Sequence, residues 1–171
     1  MTSLDIFKIE INPSFNTYWT QGKGLCVAEI YINNQSLIEL ARQAEEPFVQ
    51  AEIQERRAEG DEIDEISFLA GDYKYLPVSM VLLPSRNFLD EPFNHSFLLD
   101  SDDPRNDKSI ILDCTCGVTE CWFMQVCITV NESTVIWSEF TQFHRDWELD
   151  LGPFTFDRKQ YEAELYKPNY E

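Results

Sequence analysis

The chain has 171 residues, of which 43% are hydrophobic and 13% aromatic, a composition that supports a buried core and excludes intrinsic disorder. A domain of about this size hides roughly 70% of its unfolded surface, so a single domain over residues 1–171 is expected. Thirty-one acidic against 13 basic residues give a formal net charge of −18, which makes direct contact with a phosphate backbone unfavourable, because nucleic-acid binders bring Lys and Arg to displace counterions, and no nucleic-acid partner is expected.

The opening Met1-Thr2-Ser3-Leu4-Asp5-Ile6-Phe7-Lys8 lacks the basic and apolar regions of a secretory signal. No apolar run approaches the ~20 residues of a membrane span. The expectation is a cytoplasmic protein with no membrane partner, whose five cysteines stay reduced.

Ile6 to Ile11 reads as a first strand closed by a turn at Asn12-Pro13. Leu25 to Ile32 is a second, with Ala28, Ile30 and Ile32 on its buried face. Asn33-Asn34 supplies a turn, and Ser36 caps a short helix through Leu37, Ile38, Leu40 and Ala41 that ends by Pro47. A partly ordered acidic insertion over about 45–67 follows, read either as a polar helix across Val49 to Ala58 with a loop at Gly60 or simply as a mobile insertion. Pro77 and Pro84 bracket Val78 to Leu83, a buried strand or a loop packed on the core. Asp100, Asp102 and Asp103 form a second acidic patch before Pro104; it lacks the glycine and distal glutamate of a calcium loop.

The C-terminal third is the most regular. Ser109 to Asp113, Trp122 to Val130 and Thr134 to Phe140 read as strands, and the turn Asn131-Glu132-Ser133 makes the last two a hairpin. Gly152-Pro153 turns the chain, and Asp157 caps a final helix bearing Tyr161 and Leu165. Consecutive strands with helices at separate places predict an α+β fold, mainly antiparallel sheet with a C-terminal hairpin and a few short helices. Trp122, Trp137, Phe140, Trp147, Phe154, Phe156 and Tyr161 are expected in the core.

The run Leu112-Asp113-Cys114-Thr115-Cys116-Gly117, followed by Cys121-Trp122, Val135-Ile136-Trp137, Phe140, Trp147 and Gly152 to Tyr161, resembles the C-terminal signature of a family of uncharacterised bacterial proteins. Asn33 to Leu40 and Ala70 to Arg86 resemble the same family more loosely. The resemblance implies a bacterial cytosolic protein and carries no activity.

Three thiolates and an imidazole make a tetrahedral zinc set, so Cys114, Cys116, Cys121 and His144 are the candidate metal ligands. The competing and preferred reading has no cofactor: the cysteines are small apolar residues in a tight turn at Gly117, and His144 is an ordinary surface residue. Cys26 and Cys127 fall inside apparent buried strands, which suits packing. The sequence contains no Gly-rich phosphate loop, metalloprotease helix or hydrolase elbow, so a non-catalytic protein is expected, with an enzyme sited beside the hairpin as the alternative.

The charge points to a basic protein partner, and the expected function is an immunity- or antitoxin-type inhibitor that covers a nuclease-like toxin or another nucleic-acid-binding enzyme. Its candidate contacts are Glu55, Glu59, Asp61, Glu62, Asp64 and Glu65 in the first acidic stretch and Asp100, Asp102 and Asp103 in the second. Trp19 is a candidate anchor.

Overall fold

The structure, a computed structural model, describes residues 3–17, 24–60, 70–93, 102–116 and 122–167. Two antiparallel sheets dominate. The first holds β1 (Phe7–Phe15), β2 (Leu25–Ile32) and β3 (Gln35–Ser36) in that order; the second holds β4 (Tyr73–Lys74), β5 (Ser109–Cys114), β6 (Met124–Val130), β7 (Thr134–Gln142) and β8 (Phe154–Asp157). The sheets meet at both ends. Asp5 bridges to Phe156 beside β8, and Val27 bridges to Pro77 just after β4, so the strands curl into a half-barrel. The α+β fold expected from the sequence is the fold observed, and no helix of the described residues is long and apolar enough to cross a membrane.

Local chemistry explains most elements. Asn33 and Asn34 both sit at positive φ, 53° and 67°, the conformation a tight hairpin needs and one asparagine tolerates. They reverse the chain between Ile32 and Gln35. The Ser36 hydroxyl accepts from the Glu39 N–H at 3.2 Å and starts α1 (Leu37–Ala58). Asp157 does the same for α3 (Arg158–Leu165), accepting from the Gln160 N–H at 3.0 Å.

Several expectations are corrected. α1 runs through Pro47 to Ala58 as one helix, because Leu37, Ala41 and Ala44 before the proline and Val49 after it bury a common stripe. That packing outweighs the roughly 3 kcal/mol an interior proline costs. Thus residues 45–60 are the second half of a helix and its end. β1 continues past Asn12-Pro13 to Phe15 with a register shift instead of turning there. Val78–Val81 is a single helical turn, α2, since a short apolar run suits a buried helix as well as a strand. Phe154 to Asp157 is β8, the fifth strand of its sheet, paired with β7. Cys26 is exposed, because Leu25 and Cys26 lie where the register with β1 slips.

The core is aromatic. Phe7, Phe88, Trp137, Phe156 and Tyr161 are fully buried, and the Tyr161 ring lies 4.3 Å from Phe7 and 5.5 Å from Phe156 between centroids. Tyr161 accepts from Trp137 Nε1 at 3.0 Å and donates to the Phe88 carbonyl at 2.6 Å, so its hydroxyl is buried without loss. Trp122 and Phe140 are also buried, whereas Trp147 and Phe154 are half-buried at the margin.

Candidate functional site

α1 presents its polar face along one side of the half-barrel, and an extended segment, residues 146–151, runs beside it. In that segment Asp146, Glu148 and Asp150 are exposed while Trp147, Leu149 and Leu151 are half-buried, a period-two alternation without strand pairing. Trp147 fastens the segment to the helix: it stacks on Phe48 of α1 at 5.8 Å and meets Trp122 edge-on at 6.1 Å. The Arg145 guanidinium lies 4.9 Å from the Trp122 ring centre and 5.7 Å from that of Trp147, and pairs with Glu52 of α1 at 3.1 Å. Between helix and segment opens a groove of about 420 Å³, lined by Leu40, Gln43, Ala44, Pro47, Phe48, Glu148, Asp150 and Leu151.

The same turn that carries Arg145 reaches the second acidic patch. Arg105, in a 3-10 turn (Pro104–Asp107), packs its guanidinium 4.7 Å from the Phe143 ring centre. Residues 143–145 therefore connect that turn to the middle of α1.

The predicted contact residues fare differently. Glu55 and Glu59 lie exposed at the end of α1, and Asp102 is exposed before the 3-10 turn. Asp103 instead holds that turn together, since its carboxylate accepts from the Arg105 N–H at 2.9 Å and pairs with the Arg105 guanidinium at 2.9 Å, which lowers its pKa. Asp61, Glu62, Asp64, Glu65, Asp100 and Trp19 lie outside the described residues, as does Cys121. Glu148 and Asp150 were absent from the sequence-based candidates, although the alternation in Asp146-Trp147-Glu148-Leu149-Asp150-Leu151 announces an extended segment with one acidic edge.

Beneath α1 is a buried polar centre that the sequence also left unread. Glu45 is fully buried; it accepts from the Gly71 N–H at 2.9 Å and from the Tyr73 hydroxyl at 2.5 Å. Burial pushes its carboxyl up to about 7, against the opposing pull of those two hydrogen bonds. Burial and the neighbouring Glu45 likewise raise the Tyr73 phenol, and burial raises Asp72. Gly71 sits at φ +71°, and a Cβ there would come 2.6 Å from the Cβ of Arg42, so glycine is what lets the chain pass this close to the helix.

On the neighbouring strand, the β4–β5 register sets Lys74 opposite Asp113, and they pair at 3.4 Å while almost fully buried. Cys114 ends β5, Cys116 follows in a turn, and their sulfur atoms lie 3.2 Å apart. His144 is exposed, stacked 6.4 Å from Trp122. Among the described residues no three His, Cys, Asp or Glu side chains converge as a metal site.

Comparison of the chain with family models, curated proteins and solved structures finds no match. The functional reading therefore stands on charge and geometry.

Proposed function

We propose that this chain is a non-catalytic acidic binding protein, of immunity or antitoxin type, that neutralises a basic nuclease-like toxin or another nucleic-acid-binding enzyme by covering its surface. The observation that carries the reading is the formal net charge of −18, with exposed carboxylates at Glu55, Glu59, Asp102, Asp146, Glu148 and Asp150 arrayed about α1 and the turn beside it. A field of that sign steers a basic partner into contact and repels nucleic acid, so an enzyme whose cationic surface binds phosphate is the partner it suits. The aromatic lock of Phe48, Trp147 and Trp122 holds the 146–151 carboxylates against the helix before any partner arrives, which reduces the ordering cost of binding.

The test is untagged copurification with the products of neighbouring genes at low and at high salt. The expected result is a basic protein retained at low salt and weakened at high salt, whose activity on nucleic acid falls when this chain is added. Recovery of no basic protein even at low salt, where steering is strongest, would overturn the proposal.

A further inference from the structure

The groove between α1 and the 146–151 segment has a chemistry more specific than a negative field. Its floor is apolar, made by Leu40, Ala44, Phe48 and Leu151, and its rim carries the exposed carboxylates of Glu148 and Asp150. Neither carboxylate is in an ion pair among the described residues. Pro47 stands inside α1 and has no N–H to give to the carbonyl of Gln43, four residues back, and both residues line the groove. The Gln43 side-chain amide is turned to Glu39, donating to its Oε1 at 3.3 Å.

An apolar floor beneath two exposed carboxylates fits a long side chain with a methylene stem and several donors at its tip. Arginine meets that description best: its stem packs on apolar surface while its head stays polar, and its planar guanidinium offers five donors at low desolvation cost. Lysine offers the charge as a compact, strongly hydrated point and has fewer donors for dispersed acceptors. The volume of about 420 Å³ lies within the range of roughly 300–1,000 Å³ typical of small-ligand sites. We infer that this groove is the socket for an arginine side chain of the basic partner. The inference rests on the reading that the partner is basic, and it names the place where that partner is held.

The probe is a short oligo-arginine peptide, titrated at low salt into the isotopically labelled full chain, with amide shifts and affinity read by NMR. Shifts should concentrate at Leu40, Ala44, Phe48 and Leu151, and an oligo-lysine peptide of equal length should bind more weakly. The double variant Glu148→Gln/Asp150→Asn should weaken the arginine peptide roughly five- to tenfold. The variant Pro47→Ala separates binding from folding: it restores a helical N–H and removes a ring that lines the groove, so it should raise the melting temperature and yet weaken binding roughly threefold. The pair Glu91→Gln/Glu132→Gln removes two exposed charges outside the groove and should leave affinity close to that of the parent. Binding with scattered shifts, equal affinity for the two peptides, or equal loss in the control pair would overturn the socket while leaving the basic-partner reading in place. Absence of binding by either peptide at low salt would overturn both.

Discussion

Glu45 shows how one buried residue makes the fold sensitive to pH. Its neighbours are the Gly71 N–H, the Tyr73 hydroxyl and the nearby Asp72, whose charge further opposes ionisation. With a carboxyl raised from 4.5 to about 7 in the folded protein, the native state prefers the protonated form. The associated stability is fully present below about pH 4.5 and is lost as pH rises through about 7. Glu45→Gln fixes a neutral amide of the same shape, with an oxygen for Gly71 and donors for Tyr73. We therefore predict that the variant's advantage over the parent grows with pH, from about 1 kcal/mol at pH 5.5 to something on the order of 3 kcal/mol at pH 8. Urea unfolding at those two values, both above the isoelectric point near 4.3, measures the difference directly. An unchanged gap between pH 5.5 and 8 would remove Glu45 as the source.

Among elements, α3 has a second role beyond its buried Tyr161 and Leu165. Its polar side chains take the place of a neighbouring strand along the free edge of β1. Gln160 accepts from the Phe7 N–H at 3.1 Å and donates back to the Phe7 carbonyl; Glu164 accepts from the Ile9 N–H at 2.9 Å, and Lys167, just beyond the helix, donates to the Ile9 carbonyl. These residues recur at intervals of four and three, which places them on one helix face, while Phe7 and Ile9 recur at two, as successive edge groups of a strand do. The edge is thereby closed to pairing with another chain. Gln160→Met keeps the volume and deletes both hydrogen bonds, leaving the Phe7 N–H and carbonyl partly buried without partners. The expected cost is about 2–3 kcal/mol, seen as a lower urea midpoint together with faster hydrogen exchange at the Phe7 amide. Faster exchange throughout the sheet with no specific effect at Phe7 would contradict the edge role. What was legible in the sequence here was the helix itself, through the Asp157 cap and the buried spacing of Tyr161 and Leu165. Its clasp on β1 was not, because residues 7 and 160 are distant in the chain and no local signal links them. The same contrast runs through α1. The Ser36 cap is local and was readable, whereas continuation past Pro47 depends on the burial of Val49 on the same helix as Leu37 and Ala41.

At the scale of the whole molecule, charge acts on folding and on binding with opposite signs. Thirty-one acidic residues against 13 basic ones repel one another in the compact state more than in the extended chain, so the folded protein carries an unfavourable electrostatic energy at low ionic strength. Among the described residues the ion pairs at Glu10, Glu39 and Asp90 are exposed and local, that of Glu52 with Arg145 is half-buried, and that of Lys74 with Asp113 is almost fully buried. Raising ionic strength from about 0.01 to 0.15 M shortens the screening length from about 30 to about 8 Å, which weakens repulsion across the molecule while leaving the buried pair nearly untouched. Sodium chloride should therefore raise the melting temperature by roughly 2–4 °C, the shift that about 1 kcal/mol produces in a domain of this size. Over the same salt range the affinity for a basic partner should fall, since the field that strains the monomer is the one that attracts it. Measuring both on one preparation distinguishes this from a general salting-out effect: sulfate, which strengthens burial by exclusion, would raise stability beyond the chloride effect at matched ionic strength. A melting temperature insensitive to chloride would mean that the acidic surface is neutralised in the free protein, and the charge argument for a basic partner would lose its footing.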